Sequence, residues 1–91
     1  MSDLDARFAQ AQELSKSITD RPSNDQLRNI YGLYKQATLG DADASDAKRP
    51  GRLDMVGRAK YDAWAGKKGL GPDAAKQQYI ALIEQLVGRA V

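Results

Sequence analysis

Three phenols and two ammoniums occupy positions where helical spacing calls for plain hydrocarbon. Tyr31, Tyr34 and Lys35 lie in the stretch Ile30 to Asp41, IYGLYKQATLGD, while Lys60 and Tyr79 lie further along. At about 100° per residue, Leu27, Ile30, Tyr31, Tyr34, Ala37 and Thr38 share one helical face, with Lys35 at its margin beside Tyr31. A stripe meant only for burial favours Leu or Ile, because a buried hydroxyl or ammonium needs a partner or costs stability. Phenol hydroxyls and ammoniums directed into a groove donate to phosphate. A phenol ring also offers a flat apolar face on which a purine stacks, worth roughly 1–3 kcal/mol per base. A groove holding all five residues suits a nucleotide with an apolar tail. The competing account keeps the phenol hydroxyls in water at the stripe's edge and lets Lys35 snorkel; for that helix alone it is the more ordinary one.

The elements that must position these residues are all helical. Leu4, Phe8, Ala11, Leu14 and Ile18 recur at helical spacing, so a first helix is expected from about residue 4 to about residue 18, with Asp3 as its cap and Asp5 in its first turn. Asp20-Arg21-Pro22 ends it, and Ser23 to Gln26 reads as a capping box opening the second helix. Gly40 is its expected stop. Residues 40–52 show no period and form a loop of some 13 residues, long enough to cross the fold as an overhand connection.

The period resumes from Leu53 to Lys67, where Leu53, Val56, Lys60, Ala63 and Trp64 share a face and Lys60 stands near its middle. An ammonium so placed snorkels or meets an anion. Gly66 to Gly71 is a glycine-punctuated turn, and Pro72 and Asp73 start a last helix striped by Ala75, Tyr79, Leu82, Ile83, Leu86 and Ala90. No segment alternates with period two and no repeat is visible. Four helices in one bundle, a single domain over residues 1–91, is the simplest architecture.

Composition excludes much chemistry. The chain has no cysteine and no histidine, which removes disulfides, Cys/His zinc sites, thiol catalysis and imidazole triads. No paired carboxylates stand out from ordinary helix-surface charges, so no catalytic residue and no metal ligand is assigned and an enzyme is not expected. The acidic start Met1-Ser2-Asp3-Leu4-Asp5 is unlike a signal peptide, and the longest apolar run, Tyr79 to Ile83, is too short to span a bilayer. A cytoplasmic protein without stable membrane insertion is expected. The net charge of +2 is unevenly spread: residues 1–47 hold five Lys/Arg against eight Asp/Glu, and residues 48–91 hold nine against four. The second half therefore invites an anionic partner.

Tyr31 to Thr38 (YGLYKQAT), then Gly40-Asp41, then Arg49-Pro50-Gly51, then Gly57 to Trp64 (GRAKYDAW), and finally Tyr79-Ile80 together resemble the acyl-CoA-binding protein family. Phe8, Lys16 and Pro22 align as well, so the resemblance covers essentially the whole chain. It implies an all-α, up-down-down-up four-helix bundle that binds long-chain acyl-CoA thioesters with no covalent step and no cofactor. It also implies that Tyr31, Tyr34 and Lys35 contact the adenine and 3′-phosphate of the CoA head, that Lys60 joins in phosphate binding, that Tyr79 completes the head-group site and that Lys16 lies near the ligand. The acyl chain would lie in an apolar groove.

Three departures from the family pattern stand out. Tyr61 replaces its usual Trp, Val56 takes the place of a lysine, and the loop before Arg49 is longer. The expectation is thus a monomeric carrier of medium- and long-chain acyl-CoA that meets acyl-CoA-using enzymes transiently and does not bind nucleic acid. The alternative is a small helical module for nucleic acid, suggested by the basic second half with its interleaved Tyr, Trp and Lys, or for protein interaction.

Overall fold

The computed structural model describes residues 3–42, 51 and 53–88. Most of the expected crossing loop, with Arg49 and Pro50, lies outside them, as does Ala90. Among the described residues there are four α-helices and no strand: α1 Asp3–Leu14, α2 Asn24–Leu39, α3 Met55–Ala65 and α4 Pro72–Val87. A 3-10 turn, Ser15–Ser17, follows α1. None of these helices is long and apolar enough to cross a membrane.

Local chemistry sets the helix ends. At the start of α2 the Ser23 hydroxyl accepts from the Gln26 N–H at 3.1 Å, and the Gln26 side chain accepts from the Ser23 N–H at 2.8 Å, which completes the capping box. Gly40 ends α2 at φ 80°, and Gly88 ends α4 in the left-handed region, where a side chain would be strained. Two boundaries differ from the periodicity. Asp3 stands inside the first turn of α1 rather than ahead of it, and α1 tightens after Leu14 instead of running on to Ile18. Ser15 is the cause of the second: its hydroxyl donates to the Gln12 carbonyl at 2.6 Å, offering that carbonyl a partner other than the helix ladder.

The helices pack in the spatial order α1, α4, α2, α3, giving a flat body of 38 × 31 × 15 Å. The core lies in the first three: Phe8, Ala11 and Leu14 of α1, Leu33 and Ala37 of α2, and Ala75, Tyr79, Ile80 and Ile83 of α4. Because α2 is covered on two sides, its buried residues are Gly32, Leu33, Gln36 and Ala37 rather than a single stripe; Leu27 and Thr38, expected on that stripe, are exposed. Among the described elements the edge helix α3 packs against α2 only, and none of its residues is fully buried.

This corrects the reading of α3. Leu53 precedes the helix and is 100% exposed, and Val56 is 67% exposed; only the C-terminal part of the expected stripe, Ala63 and Trp64, is half-buried. Lys60 is likewise exposed rather than central to a buried arc. A helix with one neighbour leaves part of its apolar face in the open.

A polar knot joins α2 to the α3–α4 turn. The buried Gln36 amide donates to Asp41 Oδ1 and to the Leu70 carbonyl, each at 2.8 Å, while the Gly69 N–H donates to the same Asp41 oxygen at 2.9 Å. The Trp64 indole N–H donates to the Gly40 carbonyl at 2.7 Å. Gln36, Gly40, Asp41 and Trp64, all within the motifs singled out above, thus hold helices together.

Candidate functional site

Tyr31 is the centre of the first cluster. Lys35, one turn on in α2, carries its ammonium 5.6 Å from the centre of the Tyr31 ring, and Lys60, reaching across from α3, carries its own 5.5 Å from it. Lys35 is also 5.9 Å from the centre of a Trp64 ring. These distances fall within the reach of cation–π attraction. Among the described residues neither lysine has an ion-pair partner, so two positive charges converge on one half-buried phenol ring without a neutralising carboxylate. Such a spot draws anions, and phosphate oxygens accept well from ammoniums.

The α2–α3 approach that creates this cluster depends on Gly32. A methyl placed on it would stand 2.7 Å from the Ala63 carbonyl oxygen, so any side chain there would push α3 away.

Tyr34 and Tyr79 belong to a second cluster. Three residues beyond Tyr31, Tyr34 turns toward α1 and α4; its ring stacks with Phe8 at 6.2 Å and meets Tyr79 at 6.3 Å, while Phe8 and Tyr79 make an edge contact at 5.1 Å. Tyr34 is half-buried and Tyr79 only 4% exposed. Burial raises the Tyr79 hydroxyl above its ordinary pKa, against the opposing effect of a hydrogen bond with Ser15, and the nearby Tyr34 adds to the rise. Lys76 anchors this side, pairing with Asp5 at 2.6 Å and lying 5.9 Å from the centre of Phe8. Lys16 stands apart from both clusters: its side chain is 73% exposed and pairs with Glu13 at 3.3 Å.

Beside the first cluster runs a groove of about 410 Å³ between the start of α2 and the start of α3. Leu27, Met55, Val56 and Ala59 supply its apolar lining, Arg21, Asn24 and Arg28 its polar one, and Lys60 belongs to it too. Lys60 therefore joins the two, with its ammonium over Tyr31 and its side chain in the groove wall.

Sequence reasoning missed the two groove arginines and Ala59. Their only signal was position, within one or two turns of Leu27 and Val56, and spacing alone does not say which helix stands at an edge. Among the described residues no three His, Cys, Asp or Glu side chains gather as metal ligands.

Comparison with known proteins adds an independent line. The family profile described as Acyl CoA binding protein matches residues 5–83. The acyl-CoA-binding protein homolog of Drosophila melanogaster is 45% identical over 83 residues, covering 91% of this chain and 93% of that one. The acyl-CoA-binding protein of Saccharomyces cerevisiae is 40% identical over 81 residues, covering 86% and 90%. Among solved structures, the crystal structure of Oryza sativa acyl-CoA-binding protein 2 superposes with a TM-score of 0.85 at 35% identity, covering 93% of this chain and 89% of that one. The crystal structure of the corresponding protein from Moniliophthora perniciosa gives 0.79 at 36% identity, covering 94% and 80%.

Proposed function

The chain belongs to the acyl-CoA-binding protein family, and from that premise we propose that it binds medium- and long-chain acyl-CoA thioesters reversibly, buffering and carrying them without a covalent step. The observation that carries this reading is the double position of Lys60, over the Tyr31 ring and in the wall of the apolar groove. Such a residue fits a ligand with an anionic, aromatic head and a hydrocarbon tail joined end to end.

In this reading Lys35 and Lys60 neutralise phosphate, the Tyr31 ring stacks with the adenine, and the tail lies along Leu27, Met55, Val56 and Ala59. Tyr34 and Tyr79 border the head group from the α1–α4 side, and Lys16 is its outermost contact. The groove volume lies within the 300–1,000 Å³ usual for small-ligand sites. Each methylene removed from water contributes about 0.8 kcal/mol. Val56, standing where the family pattern has a lysine, trades a phosphate contact for apolar lining. No cofactor is required, the working state is a cytoplasmic monomer, and contact with acyl-CoA-using enzymes is transient. The relatives named above favour this reading over the nucleic-acid and protein-interaction alternatives.

Calorimetric titration with palmitoyl-CoA below its micelle threshold, with CoA and palmitate as controls, tests the proposal. Tight one-to-one binding of the thioester, with much weaker binding of either fragment, is expected. Equal affinity for CoA and palmitoyl-CoA would sink it, because the groove would then contribute nothing.

A further inference from the structure

Peroxide chemistry in this chain falls to sulfur, and the chain holds little of it. There is no cysteine to intercept an oxidant, and the only sulfur atoms are the thioethers of Met1 and Met55. A thioether that accepts one oxygen becomes a sulfoxide, which turns a flexible apolar side chain into a polar one. The consequence depends on what that side chain lines.

Met55 is the first residue of α3, where Asp54 caps the helix by accepting from the Gly57 N–H at 2.9 Å. It is 78% exposed, and among the described elements its helix packs against α2 alone, so an oxidant dissolved in water reaches it. The same side chain lines the groove together with Leu27, Val56 and Ala59. Of these four apolar residues Met55 alone carries an atom that a mild peroxide makes polar.

We propose that Met55 is an oxidation site through which peroxides control binding of the acyl chain, an inference that rests on the acyl-CoA reading above. The sulfur lone pair attacks the terminal oxygen of a hydroperoxide, the O–O bond breaks, and the remaining fragment leaves as an alcohol, or as water from hydrogen peroxide, after taking up the proton. Sulfur is oxidised and the peroxide reduced. An S–O dipole in the groove wall holds water where hydrocarbon would otherwise lie. The tail thus loses a contact, while the head group keeps Lys35 and Tyr31. A bound tail covers the thioether in turn, so the ligand-free protein is the form that oxidises.

Incubation of the full chain with hydrogen peroxide, with and without saturating palmitoyl-CoA, tests the proposal when followed by peptide mass mapping and calorimetric titration. One added oxygen at Met55 is expected, forming more slowly in the presence of the ligand. Palmitoyl-CoA should bind the sulfoxide form about tenfold more weakly, near the low end of what a buried methionine side chain contributes, and the affinity for CoA alone should not move. The two methionine sulfoxide reductases, one for each sulfoxide epimer, should restore the lost affinity. Met55→Leu has no thioether in the groove; whatever its own affinity, peroxide should leave that value where it was.

Oxidation confined to Met1, a rate at Met55 indifferent to the ligand, or a peroxide-induced loss shared by Met55→Leu each overturns the proposal. Failure of the unoxidised protein to bind palmitoyl-CoA would remove the carrier reading and this inference with it. Tight binding that the Met55 sulfoxide leaves unchanged would remove this inference alone.

Discussion

The Lys60 ammonium, presented by α3, lies 5.5 Å from the centre of the Tyr31 ring of α2, so the two residues meet only because their helices pack together. Removing the charge while keeping the stem should separate its roles in phosphate binding and groove lining. Lys60→Gln should weaken palmitoyl-CoA by about 1.5–3 kcal/mol, roughly ten- to hundredfold, the scale of a charge-assisted hydrogen bond. Lys16→Gln should cost far less, because Lys16 is well exposed and held by Glu13, an exposed pair worth about 0–1 kcal/mol. Titration of both variants checks the order; equal losses would move the head group toward α1.

Lys35 should be the residue that senses the 3′-phosphate, which is nearly dianionic at neutral pH with a second pKa of about 6. The wild type should therefore bind dephospho-CoA esters more weakly than CoA esters of the same chain length. Lys35→Ala should discriminate poorly between them, as competition titration with the paired ligands would reveal.

Affinity should rise with acyl length by up to about fourfold per methylene, from 0.8 kcal/mol each, and level off once the groove is full. Val56→Lys returns a cation to the groove at the expense of apolar lining. It should flatten the length dependence while strengthening the binding of CoA alone, and a homologous series of acyl-CoAs measured with both proteins would show the crossing.

Gly32→Ala should destabilise the fold by about 1–3 kcal/mol, since the added methyl falls 2.7 Å from the backbone oxygen of Ala63 and neither helix backbone yields easily. Urea unfolding measures it. Because α3 would be displaced, palmitoyl-CoA affinity should fall as well, whereas a substitution at exposed Leu39 should leave both unchanged.

Two titrations should shape stability at the pH extremes. The Gly69 N–H, then the Gln36 amide, and more weakly Lys68 hold Asp41 below its ordinary pKa of 3.8 despite some desolvation. Its contribution is present above 3.8 and lost as pH falls through the lower folded value. Tyr79 is raised above 10.0, chiefly by burial, so its contribution is present below 10 and lost as pH climbs through the higher folded value. Thermal melts across pH should show both limbs, with Asp41→Asn reducing the acid one and Tyr79→Phe the alkaline one.

Much of this was legible in the chain. The capping box at Ser23, the stop at Gly40, the start at Pro72, and the unusual chemistry of Tyr31, Lys35 and Lys60 all follow from local residue types. Local rules also explain the misjudged end of α1, once the Ser15 hydroxyl is seen to compete for the Gln12 carbonyl. What periodicity misjudged was α2 and α3. A stripe records how apolar a face is, not how many neighbours cover it, so α2 with two neighbours buries Leu33 and Gln36 beyond its expected face. With one neighbour among the described elements, α3 leaves Val56 and Lys60 in the open.

By itself the sequence determined four helices, the absence of thiol and imidazole chemistry, and a set of phenols and ammoniums fitted to phosphate and a purine, because these depend on side-chain type and on bonds between near neighbours. Only the tertiary structure decided that those residues divide between two clusters, that Gln36, Asp41 and Trp64 serve the scaffold, and that Lys60 connects an aromatic cation site to an apolar groove. Those relationships join residues far apart in the chain, and spacing along one helix carries no information about which other helix is pressed against it.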